Sequence, residues 1–171
     1  TSTIQLSFSN LSNNNGSFSA IGTAYNVPAG DINVPADVPT IQTAIDIIDP
    51  GNSSNKNIVV APGEYFESLD FLNKSNVTLK SSAGPLQTII NGQQSPETTS
   101  YLVHVNGYHI ILDGFTIKNY TGDRCINAYD GHYSIFKNLI LDNNKNYHFP
   151  STATVENCVF QNNNDGEILV I

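Results

Sequence analysis

The chain has 171 residues, a length that suits one domain with a substantial buried core. Fifteen acidic residues against seven basic ones give a net charge of −8, which disfavours binding to nucleic-acid phosphates and to anionic membrane surfaces. The sequence contains 23 Asn, 16 Ser and 13 Thr, and it has no apolar run long enough to span a membrane. Because Asn, Ser and Thr favour turns and strand edges over helix interiors, this composition predicts β structure with many turns, no nucleic-acid partner and no membrane span.

An extension that precedes the main domain is predicted at the start of the chain. Residues 3–9 alternate polar and apolar side chains, as in a strand with one buried face, and residues 12–16 favour a turn. We therefore expect a β-hairpin or β extension over residues 1–33 and one domain over residues 34–171. Because the sequence contains no Met, we also expect it to be a processed piece of a longer precursor.

A short helix is predicted over residues 40–48. Thr40 is a residue type that caps helix N-termini, and Asp49-Pro50-Gly51 ends the pattern. The apolar residues between them follow the i, i+3, i+4, i+7 spacing of one helix face; they are Ile41, Ala44, Ile45 and Ile48.

Three later segments superimpose residue by residue: 113–119, 137–143 and 156–162. The third and fifth positions of each are apolar, and the seventh is Asn. They recur at intervals of roughly 20 residues, and such a period with several short strands per repeat is typical of a β-solenoid, in which each coil stacks on the last. We expect the aligned amides to form a structural ladder along the axis, made of Asn119, Asn143 and Asn162.

Four segments resemble the amino-terminal portion of right-handed parallel β-helix proteins of the pectate-lyase-like superfamily. They are VPADVPTIQTAID at 34–46, IVVAPGEY at 58–65, VTLKS at 77–81 and TIING at 88–92. Residues 113–144 are more loosely similar to the repeats of family-nine polysaccharide lyases and their non-catalytic relatives. The resemblance covers about residues 34–171 and implies an all-β, right-handed parallel β-helix whose short helix caps the open end of the solenoid.

This fold hosts lyases, hydrolases, esterases and adhesins, so it does not by itself give an activity. In the lyases, calcium held by carboxylates acidifies a uronate proton that Lys or Arg removes. By that resemblance, the candidate metal ligands here are Asp123, Asp130 and Asp142, and the candidate bases are Arg124 and Lys137. No two of these acids form a DD or DxD pair, so calcium is expected only under the lyase hypothesis, and otherwise no cofactor is expected.

Tyrosines are concentrated in the C-terminal half of the sequence. Tyr108, Tyr129 and Tyr133, with His132 beside the last, would offer ring faces to sugar rings, and ordinary packing is the alternative for each. A low share of charged residues, a polar surface and the lack of a compact acidic cluster favour a secreted or cell-surface domain with an adhesive, carbohydrate-binding or structural role. The alternative is a calcium-dependent polysaccharide lyase, or a fragment of one, that cleaves a uronate polymer by β-elimination.

The sequence closes on an apolar strand at residues 168–171. Solenoids need capped ends, so we expect either further coils or a second chain on this edge, which would give a homo-oligomer or filament. A polysaccharide or cell-surface glycan is the other expected partner. Cys125 and Cys158 lie in apolar, strand-like runs, where buried free thiols are favoured over a disulfide.

Overall fold

The computed structural model describes residue 25 and residues 28–51, 53–71, 73–94 and 100–164. This part of the chain consists of short strands, one short α-helix and one turn of 3₁₀ helix at Gly92–Gln94. The helix is α1 (Ile41–Asp46). The strands are β1 (Ile32–Val34), β2 (Lys56–Val60), β3 (Gly63–Tyr65), β4 (Leu69–Asp70), β5 (Val77–Ser81), β6 (Thr88–Asn91), β7 (Tyr101–His104), β8 (Ile111–Asp113), β9 (Thr116–Lys118), β10 (Arg124–Asn127), β11 (Ile135–Lys137), β12 (Ile140–Asp142), β13 (Tyr147–His148), β14 (Thr154–Glu156) and β15 (Val159–Gln161).

As the chain advances, successive strands are added to three parallel sheets in turn. Sheet A has the order β1-β2-β5-β8-β11-β14, sheet B has β15-β12-β9-β6-β3, and sheet C has β13-β10-β7-β4. Each strand pairs with the strand one coil away, and the pairs in the described residues are parallel. The chain therefore winds into a parallel β-helix, as predicted.

The predicted repeats occupy successive coils in register. Phe136 pairs with Leu112 in sheet A, and Leu141 pairs with Ile117 in sheet B. These four side chains are fully buried, so like positions of each repeat fill the interior of the solenoid in columns. The spacing in the sequence between repeats 113–119 and 137–143 is therefore the length of one coil at this point.

Residues in the left-handed backbone region form the corners of the coils. At two of the corners these residues recur from coil to coil: Gly114, Asn138 and Asn157 after sheet A, and Asn119, Asn143 and Asn162 after sheet B. Asn is among the few residues other than Gly that tolerate this conformation, because its short polar side chain makes local hydrogen bonds. The high Asn content of the sequence is in part a consequence of this corner geometry.

An amide ladder runs along the corner after sheet B. Asn143 Nδ2 donates to Asn119 Oδ1 at 2.9 Å, and Asn119 Nδ2 donates to Asn91 Oδ1 at 3.3 Å. Asn91 Nδ2 then donates to Glu64 Oε1 at 2.7 Å. Asn162 was expected to continue this ladder, but its Nδ2 donates to Asp142 Oδ1 at 2.8 Å instead.

Helix α1 packs its predicted apolar face on the first coil. Ile41, Ala44 and Ile45 are buried, and the helix contacts β1, β2 and β4. Thr40 is the N-cap, since its Oγ1 accepts a hydrogen bond from Thr43 N at 3.1 Å. The helix ends at Asp46 rather than at residue 48, although Ile48 is still buried.

Two side chains from the first coils hold the ends of α1. The Glu67 carboxylate accepts hydrogen bonds from Ile41 N at 3.0 Å and from Gln42 N at 2.8 Å. The buried Lys74 ammonium donates to Asp46 O at 3.3 Å and also to Ile48 O. Backbone groups that a short helix leaves unpaired are therefore satisfied at both ends.

Strand β1 begins at Ile32 and pairs in parallel with β2, so the solenoid starts slightly before the predicted boundary at residue 34. The hairpin predicted in residues 1–33 falls largely outside the described residues, and the strand predicted at 168–171 falls wholly outside them. Cys125 is buried, Cys158 is half-buried, and both are free. In the described ranges, no helix has the length and apolar character to cross a bilayer.

Candidate functional site

The turns that lead from sheet C to sheet A carry tyrosine and histidine rings that contact each other at a tilt, with interplanar angles of 34° and 36°. The sequence has Tyr108-His109 in one coil and His132-Tyr133 at the equivalent place in the next coil. The strands that follow, β8 and β11, pair with the same offset, so each tyrosine lies against a histidine. The ring centroids are 5.5 Å apart for Tyr108 and His132 and 5.8 Å apart for His109 and Tyr133.

A third pair, Tyr129 and His148, lies beside these rings with its centroids 5.6 Å apart. We call the six residues the tyrosine–histidine face; they are Tyr108, His109, Tyr129, His132, Tyr133 and His148. Its tyrosines remain exposed: Tyr108 by 52%, Tyr129 by 67% and Tyr133 by 62%. The three predicted tyrosines and His132 therefore lie on one surface of the solenoid.

An open depression of ≈ 400 Å³ lies within this face. The rings of Tyr129, His132 and His148 line it together with the Asp130 carboxylate and residues 150–152. Thr152 Oγ1 lies 3.5 Å from His132 Nδ1. The depression thus combines ring faces with hydroxyl, carboxylate and imidazole groups, a mixture suited to a small polar ligand with one apolar side.

A second depression of ≈ 380 Å³ lies on sheet C near α1, where the tilted rings of Tyr101 and His104 are in contact with centroids 4.9 Å apart. His104 Nδ1 lies 3.4 Å from Asp70 Oδ1. Gln42 holds the backbone of Asp70 by accepting from its N–H at 2.8 Å and donating to its carbonyl at 3.0 Å. With this pair, each of the four histidines in the sequence contacts a tyrosine ring.

The predicted bases are not brought together. Arg124 lies in sheet C, where its Nη1 is 3.3 Å from Asp123 Oδ2, the carboxylate of the preceding residue. Lys137 lies in sheet A, where its Nζ is 3.5 Å from Asp113 Oδ2. The two cations therefore belong to different sides of the solenoid.

The predicted metal ligands are also separated. Asp123 lies in the turn after sheet B, Asp130 lies in the turn after sheet C, and Asp142 lies on β12 in sheet B. Among the residues that the structure describes, no three His, Cys, Asp or Glu side chains are grouped as a metal site would need. The three acids therefore do not form one calcium site, because the segments that hold them belong to different parts of the coil.

Comparison with known proteins shows the fold. No protein-family model and no curated protein sequence matches this chain. Among solved structures, the chain is similar to pectin methylesterase PemA from Erwinia chrysanthemi, with a TM-score of 0.51 and 16% sequence identity. The match covers 83% of this chain and 49% of that protein, so this chain spans about half its length. The chain is thus a right-handed parallel β-helix, and at this identity the likeness carries no activity.

Proposed function

We propose that this chain is a carbohydrate-binding domain and that sugar rings bind on the tyrosine–histidine face. The observation that carries the proposal is that Tyr108, Tyr129 and Tyr133 are exposed while each ring lies against a histidine ring. Aromatic rings present an apolar face with a polar edge, which matches the apolar C–H face and hydroxyl rim of a sugar. A ring that already contacts a neighbouring ring has less freedom to lose when a ligand binds.

Polar groups around the depression would fix the orientation of a bound sugar. Asp130 and Thr152 would accept or share hydrogen bonds with sugar hydroxyls at the rim, and Tyr129 would supply the stacking surface. The net charge of −8 opposes a polyanion, so a neutral glycan is the favoured class. The structural neighbour is a pectin methylesterase, and pectin is also a carbohydrate. A glycan-binding role would place the chain outside the cell or on its surface.

Titration with oligosaccharides tests the proposal. Tyrosine is the intrinsic fluorophore here, since the sequence has eight Tyr and no Trp, and calorimetry gives an independent affinity. We expect Tyr129→Ala and Tyr133→Ala to weaken binding about tenfold each, equivalent to about 1.4 kcal/mol. Phe66→Ala is the matched control, because Phe66 is an aromatic residue of similar exposure, 44%, outside the face.

The proposal fails if neutral and acidic oligosaccharides both leave the protein unbound at millimolar concentration, or if the tyrosine variants bind like the control. The lyase alternative is tested by the ultraviolet absorbance of unsaturated products from pectate and alginate with added calcium. Assembly through residues 168–171 is tested by light scattering over a range of concentrations. Growth in mass with concentration is the result that self-assembly requires.

A further inference from the structure

The order of tyrosine and histidine is reversed between two neighbouring coils. One coil has Tyr108-His109 and the next has His132-Tyr133, so each histidine lies against a tyrosine of the other coil and not against the other histidine. The centroid distances of 5.5 Å and 5.8 Å lie within the roughly 6 Å at which an aromatic ring attracts a cation. The reversed order therefore accommodates a proton on each imidazole without bringing two imidazolium groups into contact.

The depression in the tyrosine–histidine face gains charge in the same way. His132 and His148 both line it, and the ring of His148 lies against that of Tyr129. The titratable groups that face these two imidazoles are the phenols of Tyr108 and Tyr129 and the carboxylate of Asp130. No Lys or Arg is among the described residues that line the depression. Its lining therefore has a formal charge of −1 while the imidazoles are neutral and of +1 when both are protonated.

The permanent cations of the chain lie elsewhere, and most of them have partners. Four of them place a nitrogen 2.9–3.5 Å from a carboxylate oxygen; they are Lys80, Lys118, Arg124 and Lys137. The ammonium of Lys74 is buried against backbone carbonyls at the end of α1. Proton uptake by the histidines of the face is therefore what makes this one surface of an acidic protein positive.

We infer that the tyrosine–histidine face is a proton-dependent site for anionic sugars, which it binds as its histidines gain charge between about pH 8 and about pH 5. His132 and His148 donate charge-assisted hydrogen bonds to the anionic group, and the tyrosine rings stabilise the imidazolium form. At neutral pH, the Asp130 carboxylate and the net charge of −8 oppose the same anion. The inference rests on the proposed function for the place of the ligand, and it adds a second, acid-dependent ligand class.

Calorimetry on the full chain with dextran sulfate oligosaccharides, and with unsulfated dextran of the same length, tests this inference at about pH 7.5 and about pH 5. Sulfate groups are ionised at both pH values, so a change in affinity reports on the protein. We expect the sulfated probe to bind about tenfold or more tightly at the lower pH, less so in added salt, and dextran to show no such gain. His132→Asn combined with His148→Asn should remove most of the gain. His104→Asn is the matched control, because His104 also contacts a tyrosine ring but lies outside the face.

A lysine variant tests the role of charge directly. Because lysine is charged at both pH values, His148→Lys should bind dextran sulfate at about pH 7.5 more tightly than the native chain does. The inference is overturned if the native chain binds dextran sulfate equally at both pH values or at neither, or if the double histidine variant keeps the gain. Those results leave the binding of neutral oligosaccharides, and with it the proposed function, untouched. If neutral oligosaccharides fail to bind while the histidine-dependent gain persists, the preference for neutral glycans is wrong and this inference stands.

Discussion

Replacement of Asn144 by Leu tests how the interior turns of the solenoid are held together. Asn144 is 2% exposed, its Nδ2 donates to Ile117 O at 2.9 Å, and its Oδ1 accepts from Tyr120 N at 3.1 Å. Leucine has a similar volume but leaves both backbone groups without these partners. A buried polar group left unpaired costs about 1–3 kcal/mol, so Asn144→Leu should lower the free energy of unfolding by about 2–6 kcal/mol. That is a large share of the roughly 5–15 kcal/mol typical of a domain.

Urea denaturation followed by far-ultraviolet circular dichroism measures this loss. Asn164→Leu is the matched control, because Asn164 is exposed, lies one coil later and contacts Asn144 through its backbone, whose N–H donates to Asn144 O. The control should change the free energy of unfolding by less than about 0.5 kcal/mol. An Asn144→Leu protein as stable as the control would show that the two hydrogen bonds are not needed and would refute this reasoning.

Three further outcomes are expected. Hydrogen bonds from Lys118 and from Asn91 of the ladder hold the pKa of Glu64 below its ordinary value. The ionised Glu64 therefore stabilises the fold at pH values above its ordinary pKa, and this stabilisation is lost as the pH falls through the lowered pKa. The urea midpoint of the native protein should therefore fall more on acidification than that of Glu64→Gln, and equal falls would contradict this. Burial raises the pKa of Cys125 to about 12 and also raises that of the half-buried Cys158, so a thiol reagent should modify Cys158 first in the folded protein, as mass spectrometry would show. Equal rates would argue against the burial of Cys125. Glu67→Ala should lower the melting temperature by an amount equivalent to about 1 kcal/mol, because two N–H groups of α1 lose their acceptor, and an unchanged temperature would show that water replaces it.

The fold could be predicted because its signals are local and repeat. The i, i+3, i+4, i+7 pattern of α1 marks the cap, and the regular recurrence of apolar residues and Asn marks the coil. The recurring corner asparagines adopt a positive φ, so their spacing in the sequence reports on the backbone; they are Asn119, Asn138, Asn143, Asn157 and Asn162. Coil length follows from the spacing of these residues alone.

The site could be predicted only where it follows the same register. The spacing between Tyr108-His109 and His132-Tyr133 equals the length of one coil, so the sequence indicates that their rings meet, although its composition does not. Asp123 and Asp130 are close in sequence, but a strand of sheet C lies between them and sends them to different turns.

The amide ladder also gives the solenoid a dipole along its axis. Each amide from Asn143 to Asn91 points its N–H groups toward the N-terminal coils, so their dipoles add along the axis, and the Glu64 carboxylate, which also pairs with Lys118, lies at the positive end. This is the arrangement by which an acidic side chain favours the N-terminus of an α-helix. Here it is built from side chains and runs perpendicular to the strands. Two solenoids placed end to end in the same sense would extend this dipole, whereas two placed head to head would oppose like poles.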